Sequence, residues 1–241
     1  MLKIIACASM LIDHAGVVFG GSLMYRAIGR VAFPIYAYMI AQGCKHTKDI
    51  KKYMLRLFIF ALISEVPFDI AHSNGYTFYI ACADINFISS TNIFYTLFLG
   101  VSGIAVYEKL RSKGQAWFSS APAVLVSAAS TVAALPFIAA AYFLDTDYGM
   151  FGVVWIFALY VADPENRLTR ALVLAAGIVY RYWVWIDTYV YVLAFALLAV
   201  LFVSLYNGEQ GPRVKWAFYV FYPAHLAVLA AIWFVFASAF A

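Results

Sequence analysis

The chain has 241 residues, 66% of them hydrophobic and only 12% charged, against about 25% charged in an ordinary soluble domain; its mean hydropathy is +0.86. So few charges cannot cover a water-soluble surface of this size, which excludes a soluble enzyme, a disordered chain and a fibrous protein. The net charge of +4 is small, and because the basic residues fall in short loops between apolar runs it reads as membrane topology and not as nucleic-acid binding.

About 20 apolar residues cross a bilayer as a helix. On that rule the chain is an all-α, polytopic transmembrane helical bundle of about nine spans; a membrane β-barrel is disfavoured because the apolar residues run on and do not alternate. The first span is 2–20. Asp13 and His14 interrupt it and no small-residue cleavage site follows, so it reads as a retained span and not as a secretory signal. Spans 27–44 and 53–71 follow, joined by a basic stretch. The segment His72 to Ser90 is polar enough for a loop, and its Tyr76, Phe78 and Tyr79 suit a membrane interface. His46 and His72 read as solvated loop residues. The later spans are 91–108, 120–143, 148–162, 168–184, 188–206 and 215–238, the sixth of the nine being short for a full crossing. No internal repeat, low-complexity tract or linker divides the chain, so 1–241 is a single domain. Cys7, Cys44 and Cys82 form no CxxC and no Cys/His cluster, so no metal is expected. Aromatic stripes such as Tyr36/Tyr38 and Tyr180/Tyr182/Trp183/Trp185 read as packing and interface anchors.

Charge orients the spans. With the N-terminus cytoplasmic, the inner set is Lys3, Lys45, Lys48, Lys51, Lys52, Arg56, Lys109, Arg111, Lys113, Arg167, Arg170, Arg213 and Lys215, which is 13 of the 16 basic residues. Only Arg26, Arg30 and Arg181 fall outside, as the positive-inside rule requires. The outer Asp145-Thr-Asp147 loop is acidic.

Ionisable groups inside a bilayer are expensive, so each is a candidate for function. At 1.5 Å per residue, His14 and Glu65 each lie about 18 Å into their spans, Arg30 about 20 Å and His225 about 14 to 15 Å. Four groups from four spans thus share one layer near the midplane. A neutral imidazole accepts a proton near pH 7, which makes His14 a candidate general base. Asp13 points about 100° away from His14 on an ideal helix and is free to orient another group, such as Arg30. Glu65, Asp69 one turn beyond it, or a distant residue could support His14. Arg26 and Arg30, one turn apart, could bind an anion or oxyanion. The same groups also have plainer readings: buried His–acid–Arg sets pin helices, Glu65 and Asp69 flank Pro67 and could satisfy a broken helix, and Arg26 could snorkel to water. Lys45, Lys52 and Arg56 mark the inner side and could also meet anionic lipid or the phosphates of a cytosolic cofactor. No Gly-rich phosphate loop, G-x-S-x-G elbow or HExxH motif occurs.

Several blocks carry a resemblance. They are Leu2-Lys-Ile-Ile-Ala with Ile12-Asp-His14, Arg26-Ala-Ile-Gly-Arg30-Val-Ala-Phe-Pro34, Gln42-Gly-Cys-Lys-His-Thr47, Arg56-Leu-Phe-Ile-Phe-Ala-Leu-Ile-Ser-Glu65-Val-Pro67-Phe-Asp69, and Asn92-Ile-Phe-Tyr-Thr96. Later come Asp147-Tyr-Gly149 with Gly152, Tyr206-Asn-Gly-Glu-Gln-Gly211 and Phe221-Tyr-Pro-Ala-His225-Leu. In this order, across nearly the whole chain, they resemble the TraX family. The resemblance implies a membrane-bound acetyltransferase of the bacterial cytoplasmic (inner) membrane, similar to transmembrane acyltransferases that draw on cytosolic acetyl-CoA; the family's namesake is associated with N-terminal acetylation of conjugative pilin. It implies His14 as the catalytic histidine and Asp13, Arg30, Glu65, Asp69 and His225 as site residues.

The expectation is that acetyl-CoA enters from the cytoplasm and that Lys45, Lys52 and Arg56 meet its phosphates. His14 then acts as general base or acetyl carrier, and Arg30 or another donor holds the oxyanion. Arg26, Asp69 and His225 support the site or bind substrate. The acceptor is an amine or hydroxyl: a peptide N-terminus, a glycan or a lipid headgroup. Membrane lipids are the other partners, and nucleic acid is not expected. The rivals are a small-solute transporter or channel using the same polar layer, disfavoured by the lack of repeats, and a non-catalytic membrane scaffold.

Overall fold

Long apolar runs without internal partners must close their own backbone hydrogen bonds, and helices do so. A computed structural model describes residues 1–72, 90–162, 166–183, 186–207 and 215–239. Among these, eleven α-helices follow in order: α1 (Leu2–Val18), α2 (Leu23–Gly29), α3 (Ala32–His46), α4 (Ile50–His72), α5 (Ile93–Trp117), α6 (Ala123–Ser130), α7 (Leu135–Phe143), α8 (Gly149–Val161), α9 (Arg167–Tyr182), α10 (Ile186–Ser204) and α11 (Lys215–Ala239). A 3-10 turn, Thr131–Ala134, joins α6 to α7. No strand occurs among the described residues, although an isolated bridge pairs Thr91 with Thr146. The expected loop residues Tyr76, Phe78, Tyr79 and Cys82, together with Trp185, Arg213 and Gly208–Gly211, lie outside the described residues.

Three helical stretches are long and apolar enough to cross a membrane: Ile93–Trp117, Ala123–Phe143 and Trp216–Phe236. Gly149–Val161 and Val190–Ser204 are shorter apolar helices. The Ala123–Phe143 stretch is the most outward-facing, with Val124 77% and Phe143 82% exposed. Apolar side chains displayed along a whole helix belong against lipid. The chain is an all-helical membrane protein.

Local chemistry sets the helix ends. Gly20, at φ +68°, closes α1 in a Schellman turn, in which the Gly21 N–H reaches the Gly16 carbonyl at 2.8 Å. Asn92 caps α5 by accepting from the Phe94 N–H at 3.0 Å, and Asn166 caps α9 through Leu168 and Thr169. The Asp49 carboxylate accepts from the Lys52 N–H at 3.0 Å. That bond, then the Lys52 charge, holds its carboxyl below the usual aspartate range, although burial opposes them.

Two expectations need correction. Span 27–44 is not one helix: it breaks at Arg30–Val31, between α2 and α3. Pro34 lies in the first turn of α3, where its missing N–H is tolerated; continuing the helix backwards would drive its ring into the Arg30 carbonyl. His46 and His72 are not in loops but are the last residues of α3 and α4. The expected span 120–143 is matched by the apolar stretch Ala123–Phe143, built from α6, the 3-10 turn and α7.

The bundle brings α4 against both α11 and α5, α5 against α8, and α3 against α8. α1 packs on α2, α3 and α11, and α2 also on α10. One continuous core runs through these helices, from Leu2 and Ala6 through Ile35, Leu57, Ile104 and Ile156 to Leu226. The C-terminal half of α1 is enclosed in this core, and it carries Asp13 and His14.

Candidate functional site

Asp13 and His14 are adjacent and both buried, but they serve two different clusters. The turn of α1 sends Asp13 toward α2 and His14 toward α11, as their 100° separation predicts.

His14 Nδ1 lies 2.7 Å from His225 Nε2. The two rings are within 10° of coplanar with centroids 5.0 Å apart, so they meet nitrogen to nitrogen and not face to face. The far side of His225 fixes the protons. His225 Nδ1 lies 2.7 Å from the Phe221 carbonyl, and a carbonyl only accepts, so this nitrogen carries the hydrogen. Neutral His225 therefore offers Nε2 as acceptor, and His14 donates from Nδ1. Neutral His14 is left with its lone pair on Nε2, which is the tautomer of a general base. His72 meets the His14 ring edge-on, with centroids 5.6 Å apart, and its own Nδ1 donates to the Phe68 carbonyl at 3.0 Å. Tyr222 closes the group. Its ring lies edge-on to His14 at 5.9 Å and to His225 at 5.7 Å, and its hydroxyl is buried without a hydrogen-bond partner.

The second cluster is ionic. Asp13 Oδ1 pairs with Arg26 Nη1 at 3.0 Å, and Arg30 Nη2 reaches both Asp13 oxygens at 3.2 and 2.9 Å. Arg30 Nε also donates to the Arg26 carbonyl. The break after α2 makes this possible by placing two arginines at the end of a short helix beside α1. Gly29 permits the contact, because a Cβ there would lie 2.3 Å from Asp13 Cβ. Asp147, from the loop between α7 and α8, adds a second acid. Burial pushes its carboxyl up to about 6, against the pull of Arg30. The loop is held by the Thr91 N–H to the Asp145 carbonyl at 3.0 Å and the Asp147 N–H to the Thr91 carbonyl at 2.8 Å, and by Thr96 Oγ1 donating to the Asp147 carbonyl.

The remaining expected residues stand elsewhere. The Glu65 carboxylate takes the Asn92 side-chain amide and backbone N–H. It thereby steadies the cap of α5, while Asn92 also donates to the Ala61 carbonyl at 2.7 Å. Asp69 lies one turn on, partly buried. Among the described residues, His14 directs its ring hydrogen bond to a histidine and not to Glu65, Asp69 or any other carboxylate. Lys45 sits over the Tyr160 ring at 5.4 Å, Lys52 pairs with Asp49 at 3.5 Å in solvent, and Arg56 lies over Tyr53 at 5.8 Å. All three belong to the α3–α4 hairpin end. Arg56 and His72 are 16 residues apart on α4, or about 24 Å, so the basic end and the histidine group lie at opposite ends of that helix. The histidine group accordingly sits toward the C-terminal ends of α1 and α4.

Sequence reasoning missed His72, Tyr222 and Asp147. A tyrosine three residues before His225, on the same helical face, was a signal available for Tyr222; nothing local marked His72. Arg26 is paired with Asp13 and does not reach out alone to water. Among the described residues, no three His, Cys, Asp or Glu side chains converge as ligands for a metal ion.

Known proteins align with this chain over nearly its full length. The family described as TraX protein matches residues 1–233, which include every residue of both clusters. A probable fimbrial assembly protein, FimC of serogroup H1, from Dichelobacter nodosus, is 30% identical over 249 residues, covering 95% of this chain and 92% of that protein. No solved structure matches.

Proposed function

The chain belongs to the TraX family, and from that premise we propose that it is a membrane-bound acetyltransferase, taking acetyl groups from cytosolic acetyl-CoA to an amine or hydroxyl at or across the bacterial inner membrane. The observation that carries this reading is the His14–His225 hydrogen bond, which leaves His14 Nε2 bare. The nine-span arrangement with a cytoplasmic N-terminus rests on the 13-to-3 division of basic residues.

In the reaction, His14 Nε2 removes the proton of the acceptor N–H or O–H as the acceptor attacks the thioester carbonyl. The new C–N or C–O bond forms and the carbonyl electron pair moves onto oxygen. The tetrahedral oxyanion then collapses and breaks the C–S bond. The leaving thiolate takes the proton from the His14 imidazolium, which His225 Nε2 has meanwhile steadied by accepting from Nδ1. The Tyr222 hydroxyl is the nearest uncommitted donor to the histidine pair and supplies a hydrogen bond to the oxyanion. Arg30 and Arg26, committed to Asp13, hold α2 and Asp13 in place. The same Nε2 lone pair also serves a covalent acetyl-histidine route. A burst of CoA equal to the enzyme concentration, without acceptor, would mark that route.

The D. nodosus relative is named a probable fimbrial assembly protein, which favours a peptide N-terminus of a fibre subunit over a glycan or a lipid headgroup as acceptor. Acetyl-CoA turnover by the purified protein tests the function. His14→Ala is expected to lose transfer by a factor of about 10² to 10⁴, the usual contribution of a general base, while unfolding at the wild-type temperature. Near-normal turnover in that variant would refute the assignment. Solute movement that needs no acetyl-CoA would instead indicate a transporter.

A further inference from the structure

Arg170, on the first turn of α9, is only 7% exposed. Its Nη1 donates to the Tyr38 hydroxyl at 2.8 Å, and the guanidinium lies 5.3 Å from the centre of the Tyr38 ring. Its Nε is buried and has no hydrogen-bond partner, and no carboxylate pairs with it among the described residues. A guanidinium has five donors and does not deprotonate in proteins, so it cannot relieve its burial by becoming neutral. A buried cation in this position calls for an anion.

The pattern of used and unused donors indicates which kind. Nη1 is taken by Tyr38, and the unpartnered Nε lies on the side edge of the fork. That edge, Nε with Nη2, is the one that receives a planar or tetrahedral oxyanion through two parallel hydrogen bonds. The ring of Tyr38 backs the guanidinium, and Tyr206 packs edge-on against Tyr38 at 6.4 Å, so the fork is held from behind and not swinging in solvent. Arg170 belongs to the basic set assigned to the cytoplasmic side. Tyr38, its tether, lies six residues from Ala32 at the start of α3, or about 9 Å, and seven from Lys45, or about 10 Å. The site therefore stands between the exposed lysines of the α3–α4 hairpin and the histidine group. Lys52 has a solvated aspartate for company, whereas Arg170 is buried and has no counter-ion among the described residues.

We propose that Arg170 and Tyr38 form a phosphate-binding site, which seats a phosphate or diphosphate group delivered from the cytoplasmic side. Resting on the acetyltransferase reading, that group is the diphosphate of acetyl-CoA, and Arg170, more than Lys45, Lys52 or Arg56, anchors the donor. A lipid headgroup phosphate has the same chemistry, so the test separates the two sources.

The full-length protein in nanodiscs of neutral lipid is titrated with acetyl-CoA, as wild type, Arg170→Met, Arg170→Lys and Tyr38→Phe. Arg170→Met is expected to weaken binding at least tenfold. Arg170→Lys keeps the charge but loses the fork, and should fall between. Tyr38→Phe frees Nη1 from its tether and should weaken binding less than Arg170→Met. In parallel, sodium pyrophosphate should raise the unfolding temperature of the wild type and leave that of Arg170→Met unchanged. If Arg170→Met fails to fold, Arg170→Lys decides, with its affinity below wild type supporting the site. Unchanged acetyl-CoA affinity and unchanged pyrophosphate stabilisation in a folded Arg170 variant would overturn the proposal. Wild-type protein stabilised by pyrophosphate through Arg170 but not binding acetyl-CoA would sink the acetyltransferase reading and leave the phosphate site standing. Arg170-dependent stabilisation by phosphatidylglycerol nanodiscs, with none from pyrophosphate or acetyl-CoA, would assign the site to lipid.

Discussion

A histidine accepts a proton only at the nitrogen that its hydrogen bonds leave bare, so the Phe221 carbonyl, two hydrogen bonds away, decides the chemistry available at His14. It holds the hydrogen on His225 Nδ1, which leaves His225 Nε2 to accept from His14 Nδ1. Two substitutions at position 225 separate the acceptor from the bulk of the ring. Glutamine at 225 presents an oxygen that can still accept from His14 Nδ1, so His225→Gln should keep turnover within about tenfold of wild type. His225→Leu offers no acceptor, frees the wrong tautomer and should cost about 10² to 10⁴ in kcat. Equal kcat values for the two variants would show that His225 does not set the tautomer. Tyr222 gives a separate prediction. Its hydroxyl is buried without a partner, so Tyr222→Phe removes one oxygen and no hydrogen bond of the resting protein. Stability should hold or rise, while kcat should fall about 10²- to 10³-fold with KM unchanged, as for loss of one oxyanion donor. A fall in stability with kcat intact would assign the hydroxyl a structural role.

At the scale of elements, the α1–α2–α3 corner builds the ionic cluster of the site. α2 approaches α1 so closely that Gly29 has no room for a methyl group against Asp13. Gly29→Ala should therefore cost about 1 to 3 kcal/mol, the usual range for overpacking, and should also lower turnover by displacing Asp13 from Arg30; a thermal unfolding curve matching wild type would remove this account of the glycine. The 145–148 turn makes a second prediction. An unfolded aspartate titrates near 3.9, and burial pushes folded Asp147 up to about 6. Between those values the folded protein binds the extra proton. Its contribution to stability is thus present below about pH 4 and is lost as pH rises through 6. At neutral pH the loss is on the order of 2 to 3 kcal/mol. Asp147→Asn should therefore unfold at a higher temperature than wild type at pH 7 and lose this part of the pH dependence; a wild-type slope between pH 4 and 6.5 would show that another group titrates. These elements also show what the sequence makes legible. Apolar length places the helix ends of α4, α5 and α8 to α11 within a few residues, apart from the inner extension of α5 to Trp117, because each such run must hydrogen-bond to itself. The break at Arg30 was readable from Pro34. The pairing of His14 with His225 was not, since 211 residues separate them and their shared depth says nothing of the faces they turn. Glu65 shows the converse: its depth suggested His14, but its carboxylate meets Asn92 instead.

For the whole molecule, the two chemical poles lie at opposite ends of α4, with Lys45, Lys52 and Arg56 at the hairpin end and the histidines at the other, about 24 Å away along the helix. This polarity gives the proposed orientation a functional meaning. With the N-terminus cytoplasmic, the basic end meets an anionic donor and the histidine group lies toward the outer face, where an exported acceptor arrives. Reversed, donor and acceptor would have to exchange sides, and the acyltransfer scheme would require the donor's phosphates to meet the acidic Asp145–Asp147 loop. Labelling of single cysteines separates the two cases. Cys7 and Cys44 are buried, so with Cys82 replaced by alanine the background reaction of intact cells with an impermeant maleimide should be low. Leu144→Cys, at a position 48% exposed beside the acidic loop, should label in intact cells. Lys113→Cys, exposed near the far end of α5, should label only after the membrane is opened. The opposite pattern would invert the topology, place the histidine group toward the cytoplasm and require an acceptor on the same side as the donor. Labelling of both positions in intact cells would contradict a bundle whose α5 crosses the bilayer between them.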